Sequence, residues 1–143
     1  RGRARAERRR HWGRTLGRVE IQRNASMIKK NVLSTAKVMK NAHDGQGRIA
    51  FVRPFDAGDF ETDIAFVDYV ELPAGTSIGV HRHGENEEIY FVVEGAGTMT
   101  TNGERFSVAT GDLIVNRRGW SHGLENSSDS VLRVLVWEVG LAQ

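Results

Sequence analysis

The sequence predicts an all-β fold, either a sandwich or a barrel, and two observations carry that prediction. From about Arg48 onward, short segments rich in Val, Ile, Phe, Tyr and Thr are separated by turn residues at a regular spacing. Asn102-Gly103 lies between two of these segments and is a strong hairpin signal, because a type I′ turn needs positive φ at both central residues. With 143 residues the chain is long enough for one domain around one core.

Eight strands are predicted in the body of the chain, each bounded by turn chemistry. They are residues 48–53, 64–72, 77–81, 88–94 and 97–101, followed by the segments RFSV, DLIVN and VLRVLVWEV. The segment STAKVMKN, residues 34–41, opens with a plausible Ser or Thr cap and predicts a short N-terminal helix.

The charge is unevenly distributed along the chain. The formal net charge is +2, but residues 1–30 carry +9 and the remaining residues carry −7. Such an arginine-rich head fits a nucleic-acid or anionic-surface binder or a transit peptide. We interpret residues 1–26 instead as a disordered or tag-like, non-native head, because Met27 and the residues after it read like a natural start. Residues 27–143 are then predicted to form the single domain.

Composition excludes several classes of chemistry. The chain has no cysteine, so it has no disulfide framework, no thiolate metal ligand and no thiol nucleophile. No apolar run approaches the roughly 18 residues that a membrane span needs, and no secretion signal is evident, so we expect a cytoplasmic protein. Any metal would have to be bound by histidine and carboxylate.

The stretch GTSIGVHRHGENEEIYFVVEG concentrates such ligands. His81 and His83 share one face of a strand because side chains alternate along it, while Arg82 points away. Glu88 heads the next strand, and His122 follows a later strand and a glycine turn. Together these residues offer three nitrogens and one oxygen, a set suited to Fe, Mn, Ni, Co or Zn. The alternative interpretation is ordinary polar surface, with Glu85, Glu87 and Glu88 forming a solvated turn.

Two spaced motifs in this chain resemble those of the cupin superfamily, specifically its small single-domain bacterial members. The first runs from Gly75 through His81-Arg82-His83 and Glu88 to Gly95, with gaps of five, four and six residues. The second runs from Gly111 through Gly119 and His122 to Asn126, with Arg117 where the family has proline. Fifteen residues separate the two motifs.

The resemblance implies a double-stranded β-helix, or jelly-roll barrel, with one divalent metal ion inside its mouth. It implies His81, His83, Glu88 and His122 as the ligands and selects Glu88 over Glu87, because only Glu88 leaves the six-residue gap to Gly95. Arg117 leaves these ligands untouched and bears only on the shape of its turn.

Other residues are candidates for the chemistry around the ion. Tyr90 shares the inward face with Glu88, so we name Tyr90 and Glu88 as catalytic candidates, although a barrel-lining role for Tyr90 is more common. Arg117, Arg118 and Trp120 are candidates for the substrate mouth, with a solvated loop as the alternative for the arginines. His43 is interpreted as a loop residue rather than a fifth ligand, and six residues are assigned to the core or to dimer contacts: Phe51, Phe66, Tyr69, Val92, Leu135 and Trp137.

Two functions from different classes follow. The first is a mononuclear metalloenzyme acting on a small oxygen-rich molecule, as a dioxygenase, decarboxylase, isomerase or lyase, since a shared fold does not choose among these. The second is a non-catalytic small-molecule-binding module with a structural metal. A nucleic-acid binder is disfavoured because the body is acidic, and a membrane partner is not expected. Small cupins commonly pair through edge strands, so a homodimer is expected.

Overall fold

The computed structural model describes residues 28–140, which form ten strands and one short 3-10 turn. The strands are β1 (Val38–Lys40), β2 (Ile49–Asp56), β3 (Ile64–Leu72), β4 (Ser77–Arg82), β5 (Glu87–Glu94), β6 (Ala96–Thr101), β7 (Glu104–Ala109), β8 (Leu113–Asn116), β9 (Ser121–Glu125) and β10 (Leu132–Val139), with the 3-10 turn at Ala57–Asp59. The all-β prediction is confirmed. No helix among residues 28–140 is long and apolar enough to cross a membrane. The basic head, residues 1–26, lies outside the described residues.

The strands form two antiparallel sheets. The larger has the order β1-β2-β3-β10-β5-β8 and the smaller has the order β4-β9-β6-β7. Because β4 and β9 pair in the small sheet while β5 pairs with β10 in the large one, the chain passes repeatedly from one sheet to the other. The two predicted motifs are therefore spread over both sheets.

The core lies between the sheets and follows the period of two expected for strands with one buried face. On β10, Leu132, Val134 and Val136 are buried, while Leu135 and Trp137 alternate with them and lie outside the buried cluster. The small sheet contributes residues such as Met99, which is fully buried. Of the remaining residues assigned to core or dimer contacts, Tyr69 and Val92 are buried, and Phe51 and Phe66 pack against the cluster partly exposed.

The predicted helix at residues 34–41 is wrong. Asn31 instead nucleates a turn, in which its side chain accepts a hydrogen bond from the Leu33 amide at 2.9 Å and its carbonyl accepts one from the Thr35 hydroxyl at 2.8 Å. The chain then extends into β1, where Val38–Lys40 pairs with β2. Ser and Thr side chains stabilise turns as well as helix N-termini, so a cap signal alone does not establish a helix. Here the pairing of β1 with β2 outweighs the weak helix propensity of the segment.

β9 is a strand that was not predicted from the sequence. Its residues, SHGLE, contain one large aliphatic side chain, so local β propensity is weak. The strand forms because it is paired on both sides, with β4 and with β6. This matters for function because His122 lies in β9.

Residues 41–48, which we call the strap, connect β1 and β2 of the large sheet and cross to β4 of the small sheet. Ala42 forms a parallel bridge with Ile78, and its carbonyl accepts a hydrogen bond from the Gly79 amide at 3.0 Å. The contact is so close that a Cβ on Gly79 would lie 1.9 Å from the His43 carbonyl oxygen. Glycine at position 79 is thus required for the strap to dock.

Replacing Gly79 by alanine is expected to lower the free energy of unfolding by roughly 2–3 kcal/mol, because overpacking against backbone forces the strap away from β4. Urea denaturation measures the change. Gly84→Ala is the matched control, since nothing lies within 4 Å of a Cβ there. Equal unfolding midpoints for the two variants would contradict the docking role of Gly79.

Candidate metal centre

Strand pairing brings the predicted histidines together. His81 on β4 lies directly opposite His122 on β9, and the His83 amide donates a hydrogen bond to the Trp120 carbonyl at 3.0 Å, which continues the pairing one step further. Glu88 approaches from β5 in the other sheet. The four side chains therefore meet at one end of the space between the sheets.

Their donor atoms are close enough to share one ion. Each of His81, His83, Glu88 and His122 offers one ligand atom, and these atoms all lie within 4.8 Å of one another. Glu88 Oε2 is 3.1 Å from His122 Nε2 and 3.3 Å from His83 Nε2. His122 is fully buried, and only 7% of the Glu88 surface is exposed.

Among residues 28–140, three of these donor atoms lack hydrogen-bond partners. His83 Nε2, His122 Nε2 and Glu88 Oε2 are buried and have no hydrogen-bond partner of full geometry among the described residues. Buried polar atoms without partners are rare because each costs about 1–3 kcal/mol. A divalent ion would coordinate all three, so the donor set fits a metal with nitrogen and oxygen ligands.

The outward nitrogens of two imidazoles have partners that fix ring orientation. His81 Nδ1 lies 2.9 Å from the Gly79 carbonyl oxygen, which accepts only from a protonated nitrogen, so Nε2 is left with its lone pair. His83 Nδ1 lies 3.1 Å from Asn86 Oδ1 and 3.7 Å from Glu138 Oε2. Such outer contacts hold a ligating imidazole in the tautomer that a metal needs.

In the metal-free protein the pKa values of the cluster shift in different directions, and contact with Glu88 raises the pKa of His83, so that a proton competes with a cation there. Burial lowers the pKa of His81 to about 4, so its ring is neutral at pH 7. Burial alone raises the pKa of Glu88, but the neighbouring His122 and His83 imidazoles outweigh this effect and hold it at about 2. Glu88 is therefore a carboxylate at neutral pH.

A cavity of about 340 Å³ opens above the cluster. Its walls combine apolar and polar side chains, and two cations and three carboxylates line it. The apolar residues include Ile49, Phe51, Phe66, Val70 and Val136, and the charged ones are Lys40, Arg53, Asp68, Glu88 and Glu138. Such a volume lies at the lower end of the range for small-molecule sites.

Tyr90, named with Glu88 as a catalytic candidate, lines this cavity and is 4% exposed. Its ring meets the His122 ring edge-on, with 5.3 Å between centroids. Burial, together with the Glu88 charge, raises the pKa of Tyr90 well above its ordinary value. The hydroxyl thus keeps its proton at neutral pH and can donate a hydrogen bond, but it cannot act as a base there.

The three mouth candidates lie elsewhere. Arg118 pairs with Glu85 at 3.0 Å on the exposed surface, and the Arg117 guanidinium lies 5.7 Å from the Trp120 ring. Trp120 lines a separate depression with Phe106. None of the three mouth candidates is among the residues that line the cavity.

The cavity is instead lined by Arg53 and Asp68, which the sequence interpretation passed over, and by His43, which it assigned to a loop. His43 on the strap stacks on His81, with ring centroids 3.5 Å apart and planes 8° apart, so it is a loop residue that contacts a candidate ligand. Arg53 and Asp68 line the cavity from β2 and β3. Strand parity could have found these two, because Arg53 has the inward parity of Ile49 and Phe51 and Asp68 has that of Val70 and Phe66. No comparable signal exists for His43.

Comparison with known proteins decides the family. The family model for the cupin domain matches residues 68–138, a range that contains all four clustered side chains. The chain belongs to the cupin superfamily. The described barrel agrees with this assignment, since the small and large sheets of this cupin enclose the site as the motif resemblance implied.

Three relatives indicate what this cupin is similar to. It is 24% identical over 115 residues to the oxalate-binding protein of Thermotoga maritima, covering 80% of this chain and 95% of that protein. The crystal structure of a predicted oxalate decarboxylase from the same organism superposes with a TM-score of 0.75 at 24% identity, covering 78% of this chain and 97% of the other. The polyketide cyclase RemF from Streptomyces resistomycificus superposes with a TM-score of 0.66 at 16% identity, covering 82% and 87%.

The low pKa of His81 predicts an acid sensitivity in the metal-free protein. The unfolded ring titrates near 6.5 and the folded ring near 4, so between these values the unfolded state binds more protons and stability falls as pH falls. Urea unfolding at several pH values, with chelator present, is expected to show a loss of roughly 1–2 kcal/mol across this window, discounted because the ring is partly exposed.

In His81→Gln that slope is expected to flatten between pH 6.5 and 4, while Glu88 still contributes its own loss between pH 4.5 and 2. Parallel curves for the variant and the original protein would contradict a buried, neutral His81.

Proposed function

We propose that this cupin is a mononuclear metalloenzyme in which His81, His83, Glu88 and His122 hold one divalent transition-metal ion that binds a small oxygen-rich anion. The observation that carries the proposal is the set of buried donor atoms within 4.8 Å of one another and without hydrogen-bond partners. When bound, such an ion polarises a carbonyl or carboxylate, or lowers the pKa of water. The ligand set is compatible with Fe, Mn, Co, Ni or Zn.

Charge supports an anionic ligand. The cavity is lined by two cations and three carboxylates, which together give a formal charge of one negative unit. A divalent ion turns this into one positive unit. Anion binding should therefore depend on the metal, since charges of one sign in a low-dielectric cavity attract the opposite sign strongly.

The chain's own residues supply what proton transfer needs. Tyr90 retains its proton at neutral pH and could donate a hydrogen bond to an oxygen of the bound anion. Glu138, which lies 3.7 Å from His83 Nδ1, is positioned to tune that ring. We therefore propose that Tyr90 donates a hydrogen bond to the bound anion and that Glu88 is a metal ligand, in a decarboxylase, dioxygenase, isomerase or lyase reaction.

The second candidate function is non-catalytic binding of the same kind of anion at the same ion. The observation that favours it is the similarity to a Thermotoga maritima protein known as an oxalate-binding protein. Both candidates predict metal-dependent binding of oxalate, and they differ in turnover. Incubation of metal-loaded protein with oxalate, followed by NMR of products, separates them.

Protein purified without chelator or nickel resin is expected to contain near one equivalent of metal per chain by mass spectrometry. Glu88→Gln removes the carboxylate ligand and should weaken metal binding at least tenfold. Oxalate binding, measured by calorimetry, should be lost with it. Glu87→Gln is the matched control, because Glu87 is exposed and outside the cluster. Unchanged metal content in Glu88→Gln would refute the ligand assignment.

We also propose a homodimer. Edge strand β1 exposes Val38 and Met39 at 64% and 44%, which is unfavourable for an isolated edge. Light scattering at micromolar concentration is expected to give twice the chain mass, and Met39→Lys should shift the mass toward one chain. A single-chain mass for the unaltered protein would remove this prediction.

A further inference from the structure

Lys40 is the cation of the cavity that lacks a carboxylate partner. Arg53 is already committed, since it donates two hydrogen bonds to Asp68 at 2.7 and 2.9 Å. Lys40 lines the same cavity and forms no ion pair among residues 28–140, although the Asp68 carboxylate is near enough to interact with its charge. Its ammonium lies 3.6 Å from the centre of the Phe51 ring. The contact with Phe51 holds the side chain over the cavity wall without using its hydrogen-bond donors.

Lys40 is exposed at the edge of the cavity, and partial burial of its side chain together with the Arg53 charge lowers its pKa. Because Lys40 lines the cavity and is exposed, a carboxylate that enters the cavity can reach its ammonium, although water competes for the contact. A purely structural cation–π contact would account for the position of the side chain but leaves three N–H donors free. These donors can accommodate an anionic group of a ligand.

Apolar side chains share the lining of the cavity with Lys40 and with three members of the cluster, His81, His83 and Glu88. A cation lies over each of two phenylalanine rings: Lys40 over Phe51, and the Arg53 guanidinium 4.0 Å from the Phe66 ring. The other large apolar residues of the lining include Ile49, Val70 and Val136. The cavity of about 340 Å³ corresponds to the liquid volume of about eleven waters. A two-carbon dianion would fill only part of it. The space thus fits a ligand with a flat apolar body.

We propose that the ligand is a hydroxylated aromatic carboxylate, whose chelating oxygens lie at the ion held by His81, His83, Glu88 and His122 and whose distal carboxylate is bound by Lys40. The inference rests on the proposed function, because it takes that ion as one of the two anchors. Lys40 is then a specificity-determining residue, and the metal-binding residues alone would not distinguish this ligand from a smaller anion.

The test uses ligand pairs that differ in one charge. The probes are 3,4-dihydroxybenzoate and its longer homologue 3-(3,4-dihydroxyphenyl)propionate, each compared with its own methyl ester, in calorimetric titrations of the zinc-loaded protein under argon. The acid of at least one pair is expected to bind roughly tenfold more tightly than its ester, since a charge-assisted hydrogen bond is of that order.

Lys40→Met should remove this preference and leave ester affinity within about twofold. Lys37→Met is the matched control, because Lys37 pairs with Glu71 at 3.7 Å and does not line the cavity. The control should keep the preference. Mass spectrometry after each titration verifies that zinc has remained bound.

The outcomes separate the two proposals. If zinc does not bind, or if neither oxalate nor any catechol binds the zinc-loaded protein, the proposed function fails and this inference fails with it. If oxalate binds but the esters do not, the apolar body is wrong. If acids and esters bind equally, or if Lys40→Met keeps the preference for the acid, Lys40 is not the second anchor.

Discussion

The central constraint on this structure is a cluster of buried polar atoms that lack hydrogen-bond partners among the described residues. His83 Nε2, His122 Nε2 and Glu88 Oε2 face one another in this buried cluster. At about 1–3 kcal/mol for each unsatisfied group, such an arrangement is costly in a metal-free fold whose total stability is of the order of 5–15 kcal/mol. Two sheets held in fixed register supply the rigidity, because a one-residue slip of β4 would turn His81 out of the site.

The same constraint organises the cavity above. Two of the charged side chains there, Arg53 and Asp68, neutralise each other, and a third, Lys40, contacts an aromatic ring. Asp68 is 6% exposed, and it is tolerated because Arg53 grips it through two hydrogen bonds, although burial still raises its pKa. Lys40 rests on an aromatic ring instead of a carboxylate. A cavity with one neutralised pair and one uncommitted cation can discriminate ligands by charge without weakening the ion site.

Much of the fold and the four clustered side chains could be predicted from the sequence because their signals are local. Alternation along a strand places His81 and His83 on one face, and motif spacing selects Glu88 and His122. The short helix was wrong because a capping signal competes with sheet pairing, which only tertiary structure reveals. The mouth candidates do not line the cavity, and Trp120 lines a separate depression with Phe106, because motif spacing does not specify the direction of a loop.

The strap shows why the remaining site residues escaped prediction. His43 and Asp44 have φ values of 51° and 56°, a left-handed conformation that costs non-glycine residues roughly 1–2 kcal/mol each. That cost is sustained because Gly79 lets the strap backbone approach β4, so that Ala42 bonds to it and the His43 ring lies parallel to His81. Strain held in place by surrounding contacts concentrates at functional positions. The strap therefore connects Lys40, the last residue of β1, with His43, which stacks on His81 of the candidate metal centre. Its position depends on backbone contacts, which a sequence pattern does not reveal.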